Sequence, residues 1–200
     1  LYRTGNVDFT TVIALAGAEV RQPQMLRTIA GAAVAPILEG RLMDADHHRR
    51  VISGNVLTGV KTDAADGYLH YPYRQVTVIP EGDDVDEFMG WASLSPRKMS
   101  VSTSFPGCLC GRRLFDPDAR ILGGRRAMIM SGEIDRVLPM DILGEYLINA
   151  INARDIDAME NLGIYEVAPE DFALAECLYS SKEPLQQIVR DGLDYMRREV

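Results

Sequence analysis

The spacing of apolar residues predicts a strand-rich first part of the chain. β-Branched and apolar runs at residues 10–16, 51–52 and 75–79, with a loosely alternating run at 26–30, predict four strands. Residues 32–38 predict one or two helical turns. Several strands with one short helix, and no long helices between them, indicate a small α+β unit rather than a doubly wound sheet.

The last part of the chain has helical periodicity. Pro139 suits the first position of a helix, and Leu143, Leu147 and Ile151 follow at four-residue spacing. This pattern predicts a helix that begins at Pro139 and buries one apolar stripe.

Three more helices are predicted after this one, at residues 156–162, from Pro169 onward, and at the end of the chain. For the last of them, Ser180 and Glu183 predict a capping box. Its apolar stripe comprises Leu185, Ile188, Val189, Gly192, Leu193 and Met196. Together the four helices predict a compact C-terminal bundle.

The region between these parts is less regular, and turn signals interrupt it. Its short apolar runs predict two strand pairs, 88–92 with 98–104 and 112–115 with 127–130. We interpret this region as a β-rich extension of the first part. The predicted domains are therefore residues 1–132, an α+β module with its extension, and residues 133–200, a helical domain.

Charge is distributed unevenly along the chain. The formal net charge is −8, which argues against nucleic acid as the main partner. Residues 133–200 hold 15 acids and 6 bases, whereas residues 1–132 hold 14 acids and 15 bases. Residues 97–126 hold seven bases and two acids. This basic segment has two interpretations: a solvated surface that pairs with the acidic half, or a docking face for anionic lipid or an acidic partner subunit. The candidate docking residues are Arg112, Arg113, Arg125 and Arg126.

A glycine-rich turn follows the strand predicted at 51–52. Gly54 and Gly59 lie five residues apart, and no lysine follows, so the spacing does not fit a phosphate-binding P-loop. One hypothesis is that this turn and nearby tyrosines line an apolar pocket for a small ligand. The alternative is that the tyrosines pack the core. The tyrosines concerned are Tyr68, Tyr71 and Tyr73.

Metal or covalent chemistry has little support in the sequence. Asp44, Asp46, His47 and His48 are metal-capable, but no further ligand pattern accompanies them. The three cysteines, Cys108, Cys110 and Cys177, are odd in number, so we expect no disulfide framework. No apolar run reaches the roughly 18 residues of a membrane-spanning helix. We therefore expect no catalytic, cofactor-binding or metal-binding residue in this chain.

Ordered motifs give the chain a family resemblance. Residues 50–59 (RVISGNVLTG) are similar to the glycine turn of the soluble-ligand-binding β-grasp (SLBB) module in the A-subunit family of sodium-translocating NADH:quinone reductases. Further motifs that resemble this family are residues 12–17, 21–29, 75–79, 88–92, 100–105, 136–141 and 170–174. The resemblance covers nearly the whole chain and implies a C-terminal fragment with a β-grasp fold.

The resemblance also implies a function. Such subunits are peripheral, on the cytoplasmic side of the bacterial inner membrane, in a complex that passes electrons from NADH to ubiquinone and exports Na⁺. Quinone interaction has been attributed to this subunit, while flavins and the iron–sulfur centre belong to other subunits. In related electron-transfer subunits a helical domain holds a four-cysteine cluster. Here Cys177 is followed by Ser180, Ser181 and Pro184 instead, so we expect a cluster-free helical domain.

Three functional hypotheses follow. The first is a structural and docking fragment of the redox pump, which contacts other subunits of the membrane complex through its basic segment. The alternative is a β-grasp module that binds quinone or another small ligand. A free-standing hydrolase or metal enzyme is the third hypothesis, which metal analysis would test.

Overall fold

The computed structural model of the chain describes residues 5–44, 46–83, 117–121 and 124–199. The chain divides into two compact units, residues 1–120 and 121–200. The domain boundary between residues 132 and 133 stays a prediction. Each unit has its own apolar core.

The N-terminal unit is built on one five-stranded mixed sheet. Its elements are β1 (Thr10–Ala16), β2 (Gln24–Ile29), α1 (Ala35–Leu38), β3 (Arg49–Ser53), β4 (Val60–Thr62) and β5 (Gln75–Pro80). The strand order is β2-β1-β5-β3-β4, with β1 parallel to β5 and the other neighbouring pairs antiparallel. The α+β class and the four predicted strands are confirmed. β4 was missed because three residues are too short to show a strand period.

The core of this unit lies on one face of the sheet, where α1 contributes two buried side chains. Alternate residues of each strand point to this face, as the two-residue period of a strand requires. The fully or nearly buried members are Ile13, Leu15, Val20, Val34, Ile37, Leu38, Val51, Leu69, Val76 and Val78. Burial of these side chains is the main source of stability for the unit.

The C-terminal unit is helical. Its elements are α2 (Gly144–Ala153), α3 (Ile156–Asn161), 3₁₀ turns at Ile164–Glu166 and Pro169–Phe172, α4 (Ala173–Leu178) and α5 (Leu185–Glu199). The stripe predicted for the last helix is confirmed, since Leu185, Val189, Gly192 and Met196 are buried on α5. They pack in one core with Leu147 and Ile148 of α2 and with Phe172 and Tyr179.

The predicted start of the first helix is wrong. Pro139 lies in a bend, and α2 begins at Gly144. Leu143 precedes α2 and is 56% exposed, whereas Leu147 and Ile151 are buried as expected. The segment before α2 has its own turn instead, in which the Leu138 N–H donates to the Ile134 carbonyl.

The predicted capping box is also wrong. The Ser180 N–H and hydroxyl both donate to the Glu133 carboxylate, and α5 begins after Pro184. A helix capped at Ser180 would place Pro184 in its interior, where proline lacks the required N–H and clashes with the preceding turn. The Glu176 carboxylate of α4 instead accepts the Gln186 N–H in the first turn of α5.

The predicted β-rich extension lies mostly outside the described residues. The strand predicted at residues 127–130 falls within them and is not formed, because residues 124–130 carry no regular secondary structure. Its backbone bonds to a tyrosine side chain instead of to a neighbouring strand, since Ile129 pairs with the hydroxyl of Tyr179.

Candidate functional site

The glycine turn after β3 is fixed by close backbone packing. Gly54 has φ 110°, a left-handed conformation that favours glycine, and a Cβ there would lie 2.8 Å from the Gly59 Cα. A Cβ on Gly59 would lie 2.4 Å from the Asn55 carbonyl oxygen and 2.4 Å from Ile52 Cγ2. Both positions therefore need glycine for internal packing.

The polar groups of this turn are bonded to one another. The side-chain oxygen of Asn55 accepts the N–H groups of Leu57 and Thr58, each at 2.8 Å. The Gly59 N–H donates to the Asn55 carbonyl at 3.0 Å, and the Gly54 N–H donates to Gln75 at 2.7 Å. A ligand bound at this turn would need the same groups as its hydrogen-bond partners.

Side chains from the neighbouring strand and loop close the turn from its sides. The Tyr73 hydroxyl donates to the Thr58 carbonyl at 2.6 Å, and the Thr77 hydroxyl donates to the Gly54 carbonyl at 2.7 Å. Ser53, fully buried, accepts the His70 N–H at 2.9 Å. The turn is therefore a rigid joint between β3 and the segment that leads into β5.

The predicted tyrosines occupy three different environments. Tyr71 is 95% exposed, and Tyr68 is exposed with its ring 4.5 Å from the ring of His70. Tyr73 lies against Gly54. The turn presents two exposed apolar side chains, Val56 and Leu57. A ligand role for Gly54, Gly59, Tyr71 and Tyr73 stays a prediction.

An ion cluster lies at the edge of the sheet beyond the turn. Arg50 donates through two nitrogens to the Glu81 carboxylate, and the Lys61 ammonium lies 3.2 Å from it. The hydrogen bonds from Arg50, with a smaller contribution from Lys61, lower the pKa of Glu81 to about 2. Glu81 is therefore ionised at neutral pH and holds β3, β4 and β5 together.

The metal-capable residues of the sequence do not converge. Asp44 pairs with Arg21, His47 lies 3.0 Å from Glu19, and His48 lies 2.8 Å from Asp83. Among the described residues, no three His, Cys, Asp or Glu side chains are grouped as they would be around a metal ion. The described part of the chain also contains no helix long and apolar enough to cross a bilayer.

One exposed cationic segment of the C-terminal unit is residues 124–131, here called the strap. Its backbone is anchored: the Arg126 N–H donates to the Ser181 carbonyl at 2.8 Å. The buried Tyr179 hydroxyl accepts the Ile129 N–H and donates to the Ile129 carbonyl, both at 3.0 Å. The strap thus has no regular secondary structure but is held in place by these hydrogen bonds.

The strap presents cationic and apolar side chains to solvent. Arg125 and Arg126 are exposed, as are Ile129 and Met130. Neither arginine takes part in an ion pair with the residues that the structure describes. Arg112 and Arg113, predicted with them, lie outside the described residues, as do Cys108 and Cys110.

Cys177 lies in the last turn of α4, and the serines that stand where further cysteines would be expected lie in the loop between α4 and α5. The Glu133 carboxylate accepts hydrogen bonds from the Ser180 N–H at 2.9 Å and from the Ser180 hydroxyl at 2.8 Å. The Lys182 ammonium donates to the Cys177 carbonyl at 3.3 Å. The hydrogen bonds to Ser180 lower the pKa of Glu133. Sequence analysis missed Glu133 and Tyr179 because their partners lie 47 and 50 residues away.

Comparison with known proteins defines the class of the N-terminal unit first. Residues 12–64 match the family model described as the NQRA C-terminal domain, an SLBB module. This range includes β1 to β4 and the whole glycine turn.

Relatives then define the particular protein that the chain resembles. The chain is 37% identical over 199 residues to the A-subunit of Na(+)-translocating NADH-quinone reductase from Neisseria meningitidis serogroup A. It is equally similar, at 37% identity, to the proteins of that name from Rhodopirellula baltica and Vibrio anguillarum. All or nearly all of the chain is covered, but it spans 43 to 44% of the length of these relatives. Residues 12–64 are therefore similar to an NQRA C-terminal domain, and the whole chain is similar to part of the A-subunit of these relatives.

Proposed function

We propose that the chain is the C-terminal part of the A-subunit of a Na⁺-translocating NADH:quinone reductase and that it serves there as a structural and docking element. The relatives supply the name of the complex, and similarity along the whole chain supports carrying it over. In this proposal the chain contributes no redox group. Flavins and the iron–sulfur centre belong to other subunits, and ubiquinone is the substrate of the whole complex.

The sheet topology supports the finer fold assignment in this proposal. An order of β2-β1-β5-β3-β4 with a central parallel β1–β5 pair is that expected of a β-grasp module. In such a module the strands form a rigid platform, and the internally bonded glycine turn forms one of its corners. We propose that the module ends before the helical domain, with the boundary near residue 132.

The observation that carries the docking role is that Arg125 and Arg126 are exposed on an anchored backbone and form no ion pair with the residues that the structure describes. A segment with an anchored backbone loses less conformational entropy when its side chains bind a partner. Guanidinium groups recognise carboxylates with two parallel hydrogen bonds. The strap is therefore suited to an acidic surface of another subunit on the cytoplasmic side of the membrane.

The expected contribution of these arginines is moderate. An exposed ion pair contributes about 0.2–1 kcal/mol, so two arginines account for a few-fold to about 30-fold in affinity. Charge pairs at the rim of an interface also increase the rate of association, and salt screens this effect. Assembly through the strap should therefore weaken as ionic strength rises.

Charge reversal tests the docking role. The variant with Arg112, Arg113, Arg125 and Arg126 all changed to Glu, and the variant with Arg125→Glu and Arg126→Glu alone, are introduced into the full-length protein. The assembled complex is then purified through a tag on a different subunit, and the yield of the variant protein in the complex is measured. We expect both variants to reduce the yield, the fourfold variant more.

The matched control is Arg197→Glu with Arg198→Glu, which reverses two exposed charges in the last turn of α5. The control should assemble as the unmodified protein does. Unchanged assembly of the fourfold variant would contradict the docking role, provided that circular dichroism shows the variant folded.

A quinone-binding role for the glycine turn is the competing proposal. It receives less support because the N–H and carbonyl groups of the turn bond internally and Tyr71 is almost fully exposed. Titration of the chain with a soluble ubiquinone analogue separates the two proposals. Saturable binding that Tyr73→Phe abolishes would favour the ligand-binding module.

A further inference from the structure

The face of the sheet opposite the core differs between its two halves. Over β3 and β5 it is covered: Ile52, Thr77 and Ile79 are 6%, 4% and 4% exposed. Over β1 and β2 it is open: Val12, Met25 and Ile29 are 49%, 68% and 58% exposed. Large apolar side chains grouped on an open sheet face are characteristic of interaction surfaces.

The open half ends in an unprotected edge strand. Within the described residues, β2 pairs with β1 alone, so its outer edge offers backbone N–H and carbonyl groups. Proteins that avoid edge pairing place charged side chains, proline or a bulge there. β2 carries one such charge, Arg27, between the apolar Met25 and Ile29 on the open face, so pairing at this edge requires a partner that neutralises Arg27.

The positive charge on this surface indicates which kind of partner would bind there. Arg27 lies opposite Val12 in the β1–β2 register. Arg27 and Arg74 line a shallow depression of about 410 Å³, together with Asp8, Thr10, Thr11 and Val12. Neither arginine forms an ion pair with the described residues.

Other arginines of the same unit are already paired. Arg21, Arg49 and Arg50 bind the carboxylates of Asp44, Glu19 and Glu81. Hydrogen bonds from the Thr10 hydroxyl and from the Thr10 N–H lower the pKa of the Asp8 carboxylate in the depression. Two available guanidinium groups beside apolar side chains therefore complement carboxylates that are flanked by apolar residues.

We propose that the outer edge of β2, with Met25, Arg27, Ile29 and Arg74, binds an extended segment of a partner protein in which carboxylates alternate with apolar side chains. The segment adds to the sheet as a sixth strand. Its backbone bonds to the edge of β2, while its side chains on the open face contact Met25 and Ile29 and pair with Arg27. Arg74, on the far side of β1, adds positive charge to the same depression. This proposal does not depend on the strap, so either surface can fail its test without the other.

A synthetic probe tests the proposal on the 200-residue chain. The probe is a fluorescent peptide of about eight residues that alternates glutamate and valine, long enough to cover β2. Binding is measured by fluorescence anisotropy and its position by hydrogen exchange. We expect saturation below about 1 mM and slower exchange of amides in β2.

Two changes in the peptide isolate the two parts of the interaction. N-methylation of alternate peptide nitrogens on its bonding edge should abolish binding, because strand addition needs those donors. Replacement of glutamate by lysine should weaken binding about tenfold, because it places like charges beside the arginines. Both tests use the unmodified chain and are independent of how variants fold.

Charge reversal in the protein completes the design. Arg27→Glu with Arg74→Glu should weaken binding of the acidic peptide about tenfold and should strengthen binding of the lysine peptide. The matched control, Arg125→Glu with Arg126→Glu, changes the net charge equally and should leave both affinities unchanged.

Several results would overturn the proposal. These are no binding of the acidic peptide up to about 1 mM, equal affinity for the two peptides, and undiminished binding of the N-methylated peptide. Protection of β2 that rises with protein concentration without peptide would assign the edge to a second copy of the chain. Protection by anionic phospholipid vesicles but not by peptide would assign the surface to lipid.

Discussion

The glycine turn and the strap are both irregular segments fixed by hydrogen bonds, but they use their polar groups in opposite ways. In the turn, Asn55, Tyr73 and Thr77 bond inward to backbone groups of residues 54–59. In the strap, the backbone bonds inward through Arg126 and Ile129, and the arginine side chains stay exposed without described ion pairs. Rigidity in the first segment maintains the sheet, and rigidity in the second orients side chains toward solvent.

The difference shows why a conspicuous motif need not be a binding site. Glycines attract functional interpretation because they allow a backbone to approach a ligand. At Gly54 and Gly59 the nearest atoms belong to the protein itself, as close as 2.8 and 2.4 Å from an added Cβ. Donors already satisfied internally cost free energy to redirect toward a ligand. The less conspicuous strap keeps its donors available.

The largest expected effect tests the internal role of the turn. Gly59→Ala should destabilise the N-terminal unit by about 3 kcal/mol, because the added Cβ overlaps backbone atoms that cannot move independently. Those atoms are the carbonyl oxygens of Asn55 and Ser53, at 2.4 and 2.9 Å. Hydrogen exchange of β3 and β5 peptides measures the loss in that unit alone.

The control for this substitution is Gly124→Ala in the strap. An added Cβ at Gly124 meets no atom within 4 Å, so the change in free energy of unfolding should stay within about 0.5 kcal/mol. If the two substitutions destabilise equally, the turn is not packed as tightly as its geometry indicates.

The next effect concerns the anchor of the strap. Tyr179→Phe removes the hydroxyl that bonds both the N–H and the carbonyl of Ile129, so the strap should lose about 2 kcal/mol of local stability. Exchange of the Ile129 amide hydrogen should accelerate about 30-fold. Mass spectrometry of a peptide that covers residues 124–131 measures this rate.

Tyr165→Phe is the matched control for this change. The Tyr165 hydroxyl bonds to an exposed carboxylate, that of Glu160, and the side chain is itself exposed. Its removal should leave exchange in the strap unchanged. Fast exchange of the Ile129 amide in the unmodified chain would show that Tyr179 does not anchor the strap.

Sequence reasoning predicted the elements whose signals are local. The β-branched run at residues 10–16 became β1 with those bounds, and the apolar stripe of α5 is buried as expected. It failed where distant residues compete with local signals. Ser180 was assigned to a helix cap because Glu183 follows it, but Glu133 binds Ser180 from 47 residues away.

The candidate sites were less accessible to sequence reasoning than the fold. Whether an arginine is available depends on carboxylates brought close by the sheet: Arg50 is held by Glu81, 31 residues later. The sequence did not indicate Arg27 and Arg74 as site residues, because the depression that they share is created by the β1–β2 and β1–β5 pairings. Residues that strand pairing brings together from distant positions leave no periodic pattern in the sequence.

The smallest expected effect tests the difference between the arginines of the sheet that are held in ion pairs, such as Arg50, and those that form no ion pair with the described residues, such as Arg27. Glu81 has its pKa lowered to about 2 from 4.5, so it stabilises the folded state fully above about pH 4.5 and loses this contribution as pH falls toward 2. Because solvent screens the cluster, we expect about 1 kcal/mol at neutral pH. Glu81→Gln should therefore be less stable than the unmodified chain at pH 7.

The difference in free energy of unfolding between Glu81→Gln and the unmodified chain should shrink as pH falls below about 4.5, because Glu81 then becomes protonated in both the unfolded and, eventually, the folded state. Using the difference cancels the titration of other carboxylates, such as Glu133. Urea denaturation at several pH values, followed by hydrogen exchange of β3, measures it. If the difference in free energy of unfolding stays constant from pH 7 to 3, the ion pair between Arg50 and Glu81 does not stabilise the folded state. Arg50 would then be as available to a partner as Arg27, and the distinction between paired and unpaired arginines would be wrong.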